Sequence, residues 1–277
     1  MNKIIFRLSY TLICALTSAV LFANPWPQGK NNLFLKLSHW RVDADQFYDQ
    51  NARIVPSEKH TIAINSIYAA YGLSDRLTIA GYIPFQGSHQ VANGPSLSSF
   101  GDMNLDLHYA VTTSGLRLSV GVLAGLPTGK TERVEGVLLQ TGDGEFNQLF
   151  HADLGTGFML GSVPSYFAAQ LAWNNRSENF SDEVHLGLKL GASFVNQKLQ
   201  TALSIQSVNP RDPVVGGPVP NPLSIFSNQL RYNAVTIEVG YVLYKNIGVN
   251  VAYGTLIGSA ENILARPTLS FGVFGKF

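Results

Sequence analysis

ARPTLSFGVFGKF, residues 265–277, alternates in period two. Ala265, Pro267, Leu269, Phe271, Val273, Gly275 and Phe277 fall on one face, and Arg266, Thr268, Ser270, Gly272, Phe274 and Lys276 fall on the other. Successive strand side chains point to opposite sides, so one face of this segment suits lipid and the other suits water. About ten residues, tilted, are what a membrane-crossing strand needs. Taken as a last strand it must still pair on both edges, because an unsatisfied backbone group in lipid costs several kcal/mol. The segment is therefore expected to close against the first strand of the chain.

Upstream, the same alternation recurs from Leu33 onward and marks twelve strands in all: 33–42, 58–71, 76–86, 99–112, 115–127, 145–160, 165–176, 182–195, 198–208, 228–244, 246–257 and 263–277. Connections alternate between tight (near residues 73, 113, 161–164, 196 and 245) and long (43–57, 87–98, 128–144 and 209–227), with shorter ones near 177–181 and 258–262. Short turns on one side, long loops on the other and an even strand count are the pattern of an outer-membrane barrel. The expected fold is all-β, a twelve-stranded antiparallel transmembrane β-barrel of the bacterial outer membrane. The short turns and both termini are placed in the periplasm.

Residues 1–23 read as a cleaved secretory signal, with Lys3 and Arg7 before an apolar run and the small Ala23 at its end. Residues 24–277 then form one barrel domain. Cys14, the single cysteine, lies in the leader, so the mature chain is expected to lack thiols and disulfides. Without Lys3 and Arg7 the chain carries 17 basic against 18 acidic residues, a formal charge of about −1, which gives nucleic acid no basic surface. A chain 45% hydrophobic and only 13% charged, with no apolar run of membrane-helix length after the leader, points to membrane strands.

Parity sorts the side chains. Outward fall Tyr68, Tyr109, Phe158, Phe167, Phe194, Tyr241 and Phe277 near the short turns, and Phe85, Phe150 and Trp173 near the long loops, as two aromatic girdles. A soluble sandwich would instead gather its aromatics mid-strand in a shared core. Inward fall Lys36, Arg76, Asp102, Asp106, His108, Arg117, His151, Asp153, Glu183, His185, Lys189, Glu238 and Arg266, the expected lumen lining. The turns pair Tyr71 with Arg76, Ala110 with Arg117 and Ser193 with Gln200, all on the inward parity. Such a lining serves either a solute path of mixed charge or an ion-pair network that fills and stiffens the barrel.

YGLSDRLTIAGYIPF (residues 71–85), GDMNLDLHYAV (101–111), GLPTGK (125–130) and LQTGDGEFNQ (139–148) occur in series. In these blocks the chain resembles the outer-membrane family labelled for the meta-pathway of phenol degradation. The resemblance implies a barrel that handles aromatic or other hydrophobic compounds, and it supplies no catalytic residues. The terminal Phe277 likewise resembles the carboxy-terminal assembly signal of outer-membrane barrels, which implies the barrel assembly machinery as a partner beside outer-membrane lipids and a small solute.

Other constellations read more plainly. The histidines and aspartates of the lining suit a metal by chemistry, yet no tight ligand spacing joins them, and no metal or cofactor is expected. Gly125 to Lys130 fails the phosphate-loop spacing and leaves a strand where that motif opens a helix. Thr141 to Glu145 reads as a turn before a strand. The loop 209–227, NPRDPVVGGPVPNPLSIFS, holds five prolines yet carries Ile225 and Phe226, and is expected either to cap the mouth or to fold into the lumen. A membrane lipase needs Ser and His within hydrogen-bond reach. His39 and Ser66 offer those types among early outward residues, but their strand positions separate them, and the protein is expected not to be an enzyme.

Overall fold

A computed structural model describes residues 25–277; the leader with Cys14 and its cleavage point lies outside the described residues. Its strands are β1 (Leu33–Tyr48), β2 (Ile54–Gly72), β3 (Leu77–Val91), β4 (Ser96–Ser99), β5 (Met103–Ala110), β6 (Arg117–Leu126), β7 (Thr131–Val134) and β8 (Val137–Gln140). They continue as β9 (Asn147–Leu160), β10 (Val163–Arg176), β11 (Glu183–Phe194), β12 (Leu199–Pro210), β13 (Tyr232–Tyr244), β14 (Ile247–Leu256), β15 (Ile263–Leu264) and β16 (Thr268–Lys276). Twelve of these, all but β4, β7, β8 and β15, pair antiparallel in chain order, and β1 pairs with both β2 and β16. The sheet therefore closes into a barrel. The seam runs from Phe34 opposite Lys276 to Val42 opposite Thr268, and Leu33 and Phe277 exchange backbone hydrogen bonds of 2.9 and 2.8 Å at its foot.

The outer surface is apolar where lipid would lie. Leu35, Leu37, Leu105, Leu107, Leu186, Leu188, Leu190, Val251, Phe271 and Val273 are all exposed, as their parity requires. Tyr109, Phe158, Phe167, Phe194, Tyr241, Phe277, Phe85, Phe150 and Trp173 also face out. Tyr68 does not: it lies inside against Phe34, ring centroids 6.0 Å apart. The reason is the first tight turn. It holds an odd number of residues, 74–76, between the paired Leu73 and Leu77, so Gly72 pairs with Thr78. The even residues of β2 are thereby inward, and Tyr71 points outward. At the β5–β6 turn Ala110 likewise meets Ser119 and not Arg117, a slip of two that preserves parity. Ser193 does pair with Gln200.

Two expected loops are largely strand. β1 and β2 run on past residue 43 and turn only over 49–53, where Asp49 Oδ1 accepts the amides of Asn51 and Arg53, each at 2.8 Å. β3 continues to Val91 and pairs with β4. A bulge between the Asn65–Gln86 and Ile67–Ile83 pairs reverses the inward parity of β3, placing Pro84 and then Gly87, His89 and Val91 inside. The expected last strand is broken in two. Pro267, without an amide proton, separates β15 from β16, though β1 pairs with both.

On the β1–β3 sector the outward side chains turn polar abruptly. His39 Nδ1 lies 2.8 Å from Asn65 Oδ1, whose amide nitrogen donates to Gln86 at 2.9 Å. Next along come Arg41 and Lys59, both paired with Asp43. Everything further out on these strands, His60 and His89 included, stands beyond the apolar band.

Candidate functional site in the barrel lumen

The short-turn end, expected to face the periplasm, is filled. Residues before β1 enter it, with Pro25 fully buried, Trp26 edge-on to Tyr166 at 5.5 Å, and the Gln28 amide donating to Thr78 Oγ1 at 3.0 Å. Gly155 makes room, since a side chain there would run into Pro25. Phe34, Ala70, Ala80 and Phe274 pack beside them. Above, Lys36 reaches past β16 and β14 to Glu238, Nζ to Oε1 3.2 Å, and Asn250 donates to the same oxygen at 2.8 Å.

A second network crosses the opposite wall. Asp106 and His108 share the inward face of β5, with a 3.0 Å contact from His108 Nδ1 to Asp106 Oδ2. Gly121 of β6 stands opposite both His108 and His151, and a side chain there would overlap the His151 ring. Without that obstacle His151 Nε2 comes within 3.0 Å of Asp106 Oδ1, while its Nδ1 lies 2.7 Å from Asp153 Oδ2. Gln170 completes the row by donating to Asp153 Oδ1 at 2.8 Å.

Towards the outer mouth the hub is Arg176, at the end of β10. Its guanidinium binds Glu145, Glu183 (2.7 Å) and Asp143 (3.0 Å) and lies 4.4 Å over the Phe180 ring. Glu183 also accepts from Asn174 and faces His185 Nε2 at 2.8 Å. Burial pushes the Asp143 carboxyl up to about 8; Arg176 opposes the shift, and the neighbouring Asp102 and Glu145 add to it. Asp102 in turn accepts the amides of Gly129 and Asp143, each at 2.7 Å, tying two stretches of the 127–146 connection together. Residues 141–145 are thus a buried ion-pairing segment, where the sequence suggested only a turn.

Between this hub and the β13–β16 wall lies a cavity of about 340 Å³. Trp40, Val42, Ile64, Leu264, Ile225 and Phe226 supply much of its apolar lining, and Asp102, Asp143 and Arg266 reach its margin. Ser270 Oγ, on a residue 3% exposed, also lines it and has no hydrogen-bond partner among the described residues. The proline-rich connection 211–231 forms the roof. Leu223, Ile225 and Phe226 pack on the inward residues Val42, Ala44, Ile62 and Leu264, so the loop folds into the lumen.

Of the expected lining, Lys36, Asp106, His108, His151, Asp153, Glu183, Lys189 and Glu238 are buried inside, and Asp102, Arg117 and His185 face in while partly exposed. Arg76 departs from that expectation, and Arg266 meets it only at the cavity's margin. Arg76 sits exposed in the 74–76 turn, its Nη1 donating to the Val111 carbonyl at 3.4 Å. Arg266 stands exposed at the outer rim, 2.7 Å from Asp45. The structure adds Arg176, Trp40, Trp26 and the pair His60–His89, none of which parity alone had singled out. Ser66 is buried facing in, 3.0 Å from Ser38 Oγ, whereas His39 faces out, so these two lie on opposite faces of the wall. Among the described residues no group of three or more His, Cys, Asp or Glu could hold a metal ion.

No protein-family model matches the chain, and no curated protein matches it. In three dimensions it is similar to the COG4313 outer membrane channel from Pseudomonas putida F1, with a TM-score of 0.65 and 16% identity over 95% of this chain and 100% of that one. The fold is that of an outer-membrane barrel. LpxR from Salmonella typhimurium (8% identity, 87% of this chain and 99% of that one) and the beta domain of the Bordetella autotransporter BrkA (12%, 90% and 100%) are more distant, both with TM-scores of 0.48. At these identities the likeness concerns architecture alone.

Proposed function

We propose that the barrel binds a small hydrophobic or aromatic solute in its lumen and passes it across the outer membrane without catalysing a reaction. The cavity under the 211–231 roof carries this reading: about 340 Å³, walled by Trp40, Phe226, Ile64 and Leu264, with Ser270 Oγ available for one polar contact. Sites for small ligands are mostly apolar concavities with a few placed polar groups. The resemblance to the phenol-degradation family and the likeness to a protein described as a channel support the same direction. A filled barrel with a structural role is the second reading, favoured by the packing of Trp26, Phe34 and Phe274 at the periplasmic end.

Calorimetry on the purified barrel in micelles separates the two readings, with benzyl alcohol, cyclohexanol and glucose as probes. The first two should bind and glucose should not. Trp40→Ala should weaken benzyl alcohol about tenfold, since removing part of an aromatic wall forfeits roughly 1–2 kcal/mol of burial. Absence of binding by every probe, together with no probe flux into proteoliposomes, would replace the conduit by the filled barrel.

A further inference from the structure

At the outer mouth two histidine rings join barrel wall to loops. His60 of β2 and His89 of β3 are both buried, and His60 Nδ1 lies 2.9 Å from His89 Nε2. The other nitrogen of His89, Nδ1, accepts the backbone amide of Gln140 at 3.2 Å. Gln140 ends the β7–β8 hairpin. Its side-chain nitrogen lies 3.4 Å from the Phe226 carbonyl, and its Oε1 accepts from Asn221 at 3.1 Å. The hairpin is thereby joined to the roof of the cavity, and Phe226 itself lines that cavity.

Proton positions in this chain of contacts follow from the partners. An amide N–H can only donate, so His89 Nδ1 carries no proton. Neutral His89 then holds its proton on Nε2 and donates it to His60 Nδ1. Each contact contains one hydrogen. A further proton on either ring would put two hydrogens into one contact, either between the rings or between His89 and Gln140. The docked hairpin therefore requires both rings neutral.

We propose that the His60–His89 pair is an acid-sensitive latch that holds the β7–β8 hairpin and the 211–231 roof over the cavity and releases them when the rings are protonated. As a device controlling access it rests on the reading of that cavity as the solute site. The surroundings favour neutral rings. β1 places Ala44 opposite His60, and β4 and β8 contribute Leu97, Leu139 and Gln140, none of them titratable. Glu132 and Arg133 of β7 are exposed, and Lys59 points outward to Asp43. Glu58, near His60 on the same strand, is the one charge that opposes burial there. Burial, with His60 adding and the Gln140 backbone opposing, holds His89 down to about 4 from its ordinary 6.5. The sign follows. Undocked rings take up protons as pH falls through about 6.5, and docked His89 resists until about 4, so docking is complete above that window and is lost progressively within it.

The test uses the full barrel in lipid nanodiscs, with spin labels on cysteines replacing Glu135 at the hairpin tip and Ser114 in a periplasmic turn. The distance distribution should be single and narrow at pH 7.5 and should broaden towards pH 4, the undocked population rising by up to about two orders of magnitude. His89→Gln keeps an oxygen acceptor for the Gln140 amide but does not titrate, and should stay narrow throughout. In His60→Gln, which leaves one titrating ring, the transition should become less steep in pH. A wild-type distribution unchanged down to pH 4, a His89→Gln variant that broadens like wild type, or an equally steep His60→Gln transition would each overturn the latch. Benzyl alcohol calorimetry on the same samples keeps the two ideas separate. A hairpin that moves with pH while no probe binds leaves the latch standing and removes the solute reading.

Discussion

Arg176 shows how much one residue at a strand end can hold. Three carboxylates, Asp143, Glu145 and Glu183, converge on its guanidinium, all of them buried or nearly so. Replacing a buried cation by an apolar side chain removes the partner these carboxyl groups share, and a broken buried pair costs about 3–5 kcal/mol. Arg176→Met should accordingly lower the urea midpoint of the barrel in micelles well beyond Arg41→Ala, whose exposed pair with Asp43 is worth about 0–1 kcal/mol. Equal midpoints for the two variants would show that the hub carries no stability. Glu183 was legible from parity, but its partner was not. Arg176 closes a strand next to a loop, and Asp143 and Glu145 lie among glycines that read as a turn. Which charges meet was decided by the pairing of β10 with β9 and β11, and alternation within one strand does not encode it.

Elements were the most legible level, because lipid on one side and a polar lumen on the other impose period two on every strand. Where that reading slipped, a local cause is visible: a three-residue turn moved Tyr68 inside, a bulge beside Pro84 reversed the parity of β3, and Pro267 split the last strand. β16 keeps its expected faces, Leu269, Phe271 and Val273 to lipid and Ser270 and Phe274 to the interior. It is also the strand on which closure depends, since Phe277 and Leu33 exchange both backbone bonds at the foot of the seam. Deleting Phe277 removes that pair of bonds and an exposed aromatic from the periplasmic girdle. The heat-modifiable, folded fraction recovered from membranes should fall several-fold, whereas Phe277→Tyr, which keeps backbone and ring, should assemble normally. A deletion variant that assembles at the wild-type level would show that closure does not need the last residue.

At the scale of the whole molecule, the lumen holds two obstructions in series. The residues before β1 fill the periplasmic end with Pro25 and Trp26, and the 211–231 roof packs Leu223, Ile225 and Phe226 into the outer mouth. The roof's apolar character was visible in its sequence, but nothing there said which wall would receive it; that wall is built from β1 and β2, well over a hundred residues before the roof, together with β15 after it. Trp26 went unnoticed because it precedes the first alternating segment. Resistances in series add, so opening one constriction leaves the other limiting. Replacing residues 215–226 by a short Gly-Ser turn should raise single-channel conductance in planar bilayers only slightly, and Trp26→Gly alone should do the same. The two changes together should raise it by clearly more than the product of the separate effects. A loop-shortened barrel that already conducts as well as the double variant would place the entire barrier at the outer mouth, and a double variant as silent as wild type would place it in the charged layers of Lys36–Glu238 and Asp106–His151 between them.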